Sequence, residues 1–559
     1  MTFSLNILKH LCFCDNEMLL VIERERRVMS ITEAISEWRE VIGDEHILTG
    51  DRLTSHINNL SGTSRDVPAL LLPENTEEVR KIVLIAAKHQ IPLYPISTGK
   101  NWGMGSKLPV RDGCVIVELS LMNRIIEVNK DFAYAVIEPG VTQKQLYDYI
   151  SSNNLPLIMD VTGSGKDSSI IGNSLDRGVG YFTDRGEEIS ALKVVLPDGD
   201  ILDTGYGHFS NAKAKNLYKH GIGPSLDGLF LQANLGIVVQ ATINLMYRHE
   251  SSITFIAKLR DRENFPIFID RIRQLRFKEI LKSVVHIANR ERSRISLTPL
   301  IFDELCRRYP NLNRQELRSM AEEYFDKEFY GYWSATGRLF GTEAVVKDAK
   351  RQIKSALGDI ADIMFLTDEL INLLDRMGRI LSFIPQIKRK HIILSASKMV
   401  YKFTTGIPTD DAIKSVYWPL TDPPDKLNPD NSSCGVIYYL PIIPIDGNMT
   451  KSVIDIIQNN LNKDGYEPAI TLNTINNRVF ETVVSIAFPR NSDETVKAHD
   501  SVKRLNRLLR DEGIYPYRAG IELMDEIIDR EDIFFKTVSK IKQTLDPHNI
   551  VSPGRYNII

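Results

Sequence analysis

The stretch Pro95-Ile96-Ser97-Thr98-Gly99-Lys100-Asn101-Trp102-Gly103-Met104-Gly105-Ser106 constrains this chain more than any other. It follows a short apolar run, Ile91 to Tyr94, that reads as a strand. Glycine at 99, 103 and 105 lets the backbone take positive φ and come close to a ligand. Ser97 and Thr98 add hydroxyls, and successive N–H groups in such a turn form an anion-binding nest. A diphosphate is the guest that this pattern suggests. The stretch alone leaves a plain turn between two strands open as well.

Two common phosphate-binding patterns are excluded. A P-loop needs Gly-x-x-x-x-Gly-Lys followed by Ser or Thr. Here Gly99-Lys100 is followed by Asn101, with Tyr94 in place of the first glycine. Likewise Gly165-Lys166 is followed by Asp167, with Asp160 five residues earlier. No Gly-x-Gly-x-x-Gly opens a helix in a strand–helix–strand unit with a downstream acid. A kinase or a nicotinamide-dependent enzyme of that fold is not expected.

Periodicity around the stretch predicts short strands alternating with helices, an α+β arrangement. Helices are predicted over 31–42, 77–89 and 143–153, and residues 43–66 read as loop. Strands are predicted over 69–73, 91–95, 115–119, 125–128, 134–138, 192–196, 200–203 and 237–245. Pro197-Asp198-Gly199 supplies a hairpin turn. From about 250 the character changes: residues 262–395 are charged and mostly helical in pattern. A second strand–helix set follows, including 437–440 and 483–487.

Charge balance narrows the partners. With 69 basic and 72 acidic residues the net charge is −3, which argues against nucleic-acid or anionic-membrane binding. The cysteines at 12, 14, 114, 306 and 434 are odd in number and scattered, so a reducing, cytoplasmic setting is expected rather than a disulfide framework. Their spacing suits neither zinc nor a c-type haem, and no metal site is expected. Residues 1–28 are apolar in part but broken by charge, too short to span a bilayer and without a small-residue cleavage site, so they read as a peripheral extension.

Six stretches in order then carry a resemblance. They are 95–101; Val136-Ile137-Glu138-Pro139-Gly140-Val141-Thr142; Ile171-Gly172-Asn173 through Arg177-Gly178-Val179-Gly180-Tyr181; Asp227-Gly228-Leu229-Phe230 through Asn234-Leu235-Gly236-Ile237-Val238; Tyr517-Arg518; and Leu545-Asp546-Pro547 through Ser552-Pro553-Gly554-Arg555. Each is weak alone. Together, from about 35 to 556, the chain resembles the vanillyl-alcohol oxidase and p-cresol methylhydroxylase family of FAD enzymes.

The resemblance implies two domains: an extension at 1–34, an FAD domain at 35–248, an α+β cap at 249–499 over the substrate, and a segment at 500–559 returning to the FAD domain. It implies FAD held by Ile96, Ser97, Thr98, Gly99, Lys100, Asn101, Trp102, Gly103 and Met104, by Pro139, Gly140 and Val141, by Gly172 and Asn173, and by Gly236, Ile237 and Val238. Arg518 matches the family's cation for the reduced flavin, and Arg555 a second basic position. It also implies a small aromatic substrate, typically a para-substituted phenol. Such a phenol is bound as phenolate and gives hydride from its benzylic carbon to flavin N5. Tyr517, Arg518 and Tyr181 match the catalytic positions, with Met104 and Tyr438 in the substrate pocket. Members are often homo-oligomers. The electron acceptor is oxygen or, in some members, a separate cytochrome.

Three departures bear on the chemistry. Where many phenol oxidisers have a second phenolate-binding Tyr, this chain has Met104, which cannot donate that hydrogen bond. The family's acid/base Asp falls near Gly163–Ser164, flanked by Asp160 and Asp167, neither of which matches. At the flavin-linking position stands Val436, leaving Tyr438 as the candidate for a tyrosyl link and non-covalent FAD as the alternative. His56 is a loop histidine that could assist such a link. Two other readings stay open: a flavin oxidase or dehydrogenase of a non-phenolic alcohol or natural product, and a flavin-binding protein without turnover.

Overall fold

The computed structural model describes residues 29–559 except 330 and 382–383. The expectation for 1–28 lies outside the described residues. The first helix, 29–42, buries Ala34, Trp38 and Ile42. Trp38 Nε1 donates to the Ile82 carbonyl at 3.2 Å, joining this helix to the helix Thr76–His89. The second helix starts where Asn75 accepts from the Glu78 N–H, with Glu77 and Glu78 favoured beside the helix's positive end. Val79, Ile82, Val83 and Ala86, at helical spacing, cover a four-stranded sheet.

That sheet runs in the order Ile47–Leu48, Leu70–Leu71, Val115–Glu118, Leu93–Ile96, the last three parallel. Beside it is a five-stranded antiparallel sheet, ordered Ile125–Asn129, Tyr134–Ile137, Ile237–Asn244, Ile189–Val195, Ile201–Asp203. Residues 43–66, expected as loop, contain the short helix Gly50–His56.

Strand Ser251–Leu259 opens an antiparallel eight-stranded sheet just after residue 249. Its order is Ala361–Leu366, Ser251–Leu259, Trp333–Gly341, His286–Asn289, Ala469–Thr474, Val479–Pro489, Cys434–Pro444, Pro516–Arg518. One face is apolar. Phe255, Ile287, Ala335, Leu472, Val484 and Tyr439 pack there against the helices Phe265–Phe277, Glu343–Leu357, Gly447–Lys463 and Ser492–Asp511.

The opposite face is polar. Cross-strand neighbours on it are Thr254 and Arg338, Thr336 and His286, His286 and Asn473, Asn473 and Glu481, and Ser485 and Tyr438. Residues 262–395 are mostly helical, as expected, and also hold the strands His286–Asn289, Trp333–Gly341 and Ala361–Leu366 among their helices. His286–Asn289 is too short for a period-2 signal, and in Trp333–Gly341 Gly337 on the apolar side and Phe340 on the polar side interrupt the alternation. The division expected at 499/500 falls inside the helix Ser492–Asp511, and the chain stays in the large sheet through Arg518.

Candidate active site

The glycine-broken stretch follows strand Leu93–Ile96 and forms one wall of a cleft. Gly99, Gly103 and Gly105 have φ of 67°, 71° and 109°, which only glycine adopts freely. The Thr98 hydroxyl accepts from the Ser169 N–H at 3.1 Å. Ser169 in turn caps the helix Ile170–Leu175 and donates to the Pro139 carbonyl at 2.6 Å. A Cβ on Gly172 would stand 2.8 Å from Ser97 Oγ, so this glycine lets helix and loop meet. The cleft is completed by Gly236, Ile237 and Val238, and by Arg518 and Arg555 from the C-terminal segment.

Of the expected cofactor residues, Ile96 to Asn101, Gly172, Asn173, Gly236 to Val238, Arg518 and Arg555 line this cleft. Pro139, Gly140 and Val141 do not line it. Gly140 is needed for packing instead: a Cβ there would sit 2.5 Å from the Ser120 carbonyl. Trp102, Gly103 and Met104 also turn away from it. Trp102 Nε1 donates to Asp430 at 3.1 Å, and Gly103 lies so close to the Tyr438 ring that a Cβ would come within 2.4 Å. Met104, 4% exposed, shares a narrow crevice with Tyr438, Ile437, Val502 and Ile521, and Tyr517 is not among its walls. His56 is engaged with Glu118 at 2.9 Å and Lys107 at 2.6 Å, and Lys107 packs beneath Gly99.

A buried carboxylate missing from the sequence reading sits at the cleft. Asp176 takes Arg518 at 2.6 Å and Arg555 at 2.7 Å. Arg518 also donates to Asn101 Oδ1, and Arg555 to the Tyr94 hydroxyl at 2.8 Å. Two cations on one carboxylate leave a net charge of +1. The cleft fits FAD on the chemistry of its donors: hydroxyls and glycine backbone at the loop, and that net positive charge. Two buried polar atoms, Asn173 Oδ1 and Arg518 Nε, also have no protein partner among the described residues, which is where a polar guest would be bonded.

Tyr517 and Arg518 point to opposite sides of a short strand. Arg518 faces the cleft, while Tyr517 faces the polar side of the large sheet, its hydroxyl 3.3 Å from Glu481 Oε1. Asn473 Nδ2 donates to Glu481 Oε2 at 2.5 Å. Burial lifts the Glu481 carboxyl to about 7, against the pull of Asn473, Tyr517 and Arg518. Burial likewise pushes Tyr517 well above its ordinary value, helped by the charge of Glu481. Burial lowers His286 to about 4, so it is a neutral imidazole at pH 7. Tyr181 stacks on Phe403 at 5.1 Å and lies 4.2 Å from the His286 ring. Burial raises both Tyr181 and Tyr438, and the charge of Arg292 opposes this at each.

Glu481, Asn473, His286 and Arg292 also escaped the sequence reading. For Glu481 a signal existed: it is a lone acid inside the strand-like run from Val479 to Ala487. Asp160, which flanks the expected acid/base position, is fully occupied as a brace. Its carboxylate accepts from the N–H groups of Tyr181 at 2.8 Å, Phe182 at 3.1 Å and Thr183 at 3.2 Å.

Comparison with known proteins adds the lineage. Residues 67–205 match a family model described as an FAD binding domain. The chain is 31% identical to 1'-carboxy-chondrochloren decarboxylase of Chondromyces crocatus, over 94% of this chain and 97% of that protein. It is 26% identical to the flavoprotein subunit of 4-cresol dehydrogenase [hydroxylating] of Pseudomonas putida, over 94% and 95%. Among solved structures, p-cresol methylhydroxylase with substrate bound superposes with a TM-score of 0.79 at 25% identity, covering 95% of this chain and 97% of that one. The isoeugenol complex of 4-ethylphenol oxidase from Gulosibacter chungangensis gives 0.80 at 25% identity and the same coverage, 95% and 97%.

Proposed function

The chain belongs to the vanillyl-alcohol oxidase and p-cresol methylhydroxylase family of FAD-dependent oxidoreductases, and from that premise we propose that it oxidises a phenolic substrate at its benzylic carbon. The observation that carries this reading is the placement of Tyr517 and Arg518, one hydroxyl and one cation on adjacent residues at the boundary between cleft and sheet. Bound FAD supplies the acceptor for the hydride. The residues of this chain do the rest. Ser97, Thr98 and the glycine backbone would hold the diphosphate. Arg518, backed by Asp176 and Arg555, would stabilise negative charge that builds up beside it. Tyr517 would accept and orient the phenol hydroxyl, and Tyr181, Phe403 and Tyr438 would supply aromatic walls.

We place the cap at 249–518, since the chain leaves the large sheet only after Arg518. FAD is bound without a covalent link in this reading: Val436 sits in an apolar cluster with Leu60, Tyr417 and Trp102 and offers no nucleophile. The electron acceptor is oxygen or a cytochrome partner, as the relative from Pseudomonas putida is named a dehydrogenase. No disulfide among the described residues links Cys114, Cys306 or Cys434, which suits a reducing, cytoplasmic setting. No helix among the described residues is long and apolar enough to cross a membrane.

A second reading is favoured by Arg292. No hydrogen bond or ion pair of its guanidinium is found among the described residues, yet its charge acts on both Tyr181 and Tyr438. A hydroxyaromatic substrate carrying a carboxylate would satisfy it, and the relative from Chondromyces crocatus is named a decarboxylase. One experiment separates the readings. Purified protein is expected to show a flavin spectrum whose colour stays in solution after acid precipitation. Anaerobic bleaching by 4-alkylphenols supports the first reading. Bleaching only by 4-hydroxyphenyl carboxylic acids, with release of carbon dioxide, replaces it with the second. No bleaching by either class overturns both.

A further inference from the structure

We propose that Glu481 takes the proton of the substrate hydroxyl, which reaches it through Tyr517. The proposal rests on the phenolic reading above and assigns the acid/base role left open at Gly163–Ser164. Glu481 lies near the start of strand Val479–Pro489, 3% exposed, and faces the polar side of the large sheet. No ion pair of Glu481 is found among the described residues. The cation that acts on it, Arg518, pairs through its guanidinium with Asp176 and Asn101 instead. A buried carboxylate without a counter-ion is costly, so this site favours taking up a proton.

The geometry gives the proton one route. Asn473 holds Oε2, and Oε1 faces the Tyr517 hydroxyl. The groups acting on Glu481 are Asn473 from strand Ala469–Thr474, Tyr517 and Arg518 from strand Pro516–Arg518, and Asp184 from the segment before strand Ile189–Val195. His286, neutral, stands behind Asn473. Ile442 is opposite on the remaining side. Tyr517 is the connecting group: it donates to Glu481 while its oxygen keeps a lone pair for the substrate hydroxyl.

The step balances without any other reactant. The substrate O–H bond breaks and a new O–H bond forms on the Tyr517 oxygen. The former Tyr517 O–H bond breaks and one forms on Glu481 Oε1. The substrate oxygen keeps its electron pair as phenolate, and the site's total charge is unchanged. Substrate therefore binds as phenolate with no proton released to water.

The test uses 4-fluorophenol, which has no benzylic hydrogen and cannot be turned over, with the FAD-loaded protein at pH 8. A free phenol titrating near ~10 is neutral there. Ionisation of the bound probe is read by fluorine NMR, and proton release by calorimetry in buffers of different ionisation heat. The wild type is expected to bind phenolate and release roughly zero protons. E481Q, which cannot accept the proton, is expected either to release about one proton per phenolate bound or to bind the neutral phenol. Wild-type binding of neutral phenol, or of phenolate with release of about one proton, overturns the proposal without any variant. So does an E481Q that behaves as the wild type. No binding to the wild type overturns the phenolic reading itself, and this proposal with it.

Discussion

Asp176 accepts from Arg518 at 2.6 Å and from Arg555 at 2.7 Å, and so halves the positive charge the two arginines would bring to the cleft. The remaining +1 matches the single negative charge that a reduced flavin carries near its pyrimidine edge. Arg518 is the member that also reaches Asn101 in the glycine-broken loop, so it couples the loop to the charge. Replacing Arg518 with Ala is expected to slow anaerobic flavin reduction by more than about tenfold, a barrier increase of at least 1.4 kcal/mol. Stopped-flow absorbance checks this, and an unchanged rate would remove Arg518 from the chemistry. Arg518 was legible because it stands in a two-residue motif. Asp176 lies inside one of the matching stretches and was passed over, because its partners are 342 and 379 residues away (518 − 176 and 555 − 176) and no local pattern points to them. Met104 shows the reverse error. It ends a recognisable motif, yet its side chain packs with Ile521 and Tyr438 in a crevice of its own.

At the scale of the element, the large sheet divides its labour between faces. The apolar face packs four helices, and the polar face carries the row His286, Asn473, Glu481 toward Tyr517. The same division leaves an alternation in Trp333–Gly341, but Gly337 on the apolar side and Phe340 on the polar side interrupt it, and His286–Asn289 is too short to show one. It also has a stability consequence. Glu481 titrates at about 7 in the folded chain, above its ordinary 4.5, because of burial. The folded state thus holds the proton more tightly than the unfolded one. That contribution is fully present below about pH 4.5 and is lost as pH rises to about 7, on the order of 3 kcal/mol. E481Q is expected to lack this pH-dependent loss and to be relatively more stable at pH 8 than at pH 5 when each is compared with the wild type. Urea midpoints at the two pH values measure it; parallel pH dependences would contradict the assignment.

At the scale of the whole molecule, the cleft is assembled from distant stretches that a C-terminal clasp draws together. The segment 550–552 bonds to Leu93 on both sides, with Leu93 N–H donating to Ile550 O at 2.6 Å and Ser552 N–H to Leu93 O at 2.8 Å. Lys542, fully buried, fixes that segment. Its ammonium donates to the carbonyls of Asn234 and Val551, each at 2.6 Å, and to Asp546 at 2.5 Å. Replacing Lys542 with Met would strand the Asp546 carboxylate in the interior and is expected to cost about 3–5 kcal/mol. A correspondingly lower urea midpoint checks this, and a shift under ~1 kcal/mol would mean that the clasp is held by its backbone bonds alone.

The amino-acid sequence by itself determined the α+β class, the cofactor and the family, because these are written in short local patterns: glycines where the loop needs positive φ, an N-cap before a helix, and a Tyr-Arg pair in a fixed place. It also located half of the cleft lining, including Ile96 to Asn101 and Gly236 to Val238. Only the tertiary structure decided which motif residues face the guest and which face the core. Gly140 and Gly172 look alike in sequence, yet a Cβ on the first would strike the carbonyls of residues 119, 120 and 122, and on the second the hydroxyl of Ser97 in the loop. Only the structure, too, brought Glu481 to Tyr517 and Asp176 to two arginines. Burial and pairing set the charge state of each carboxylate, and both depend on residues that the chain separates and folding alone makes neighbours.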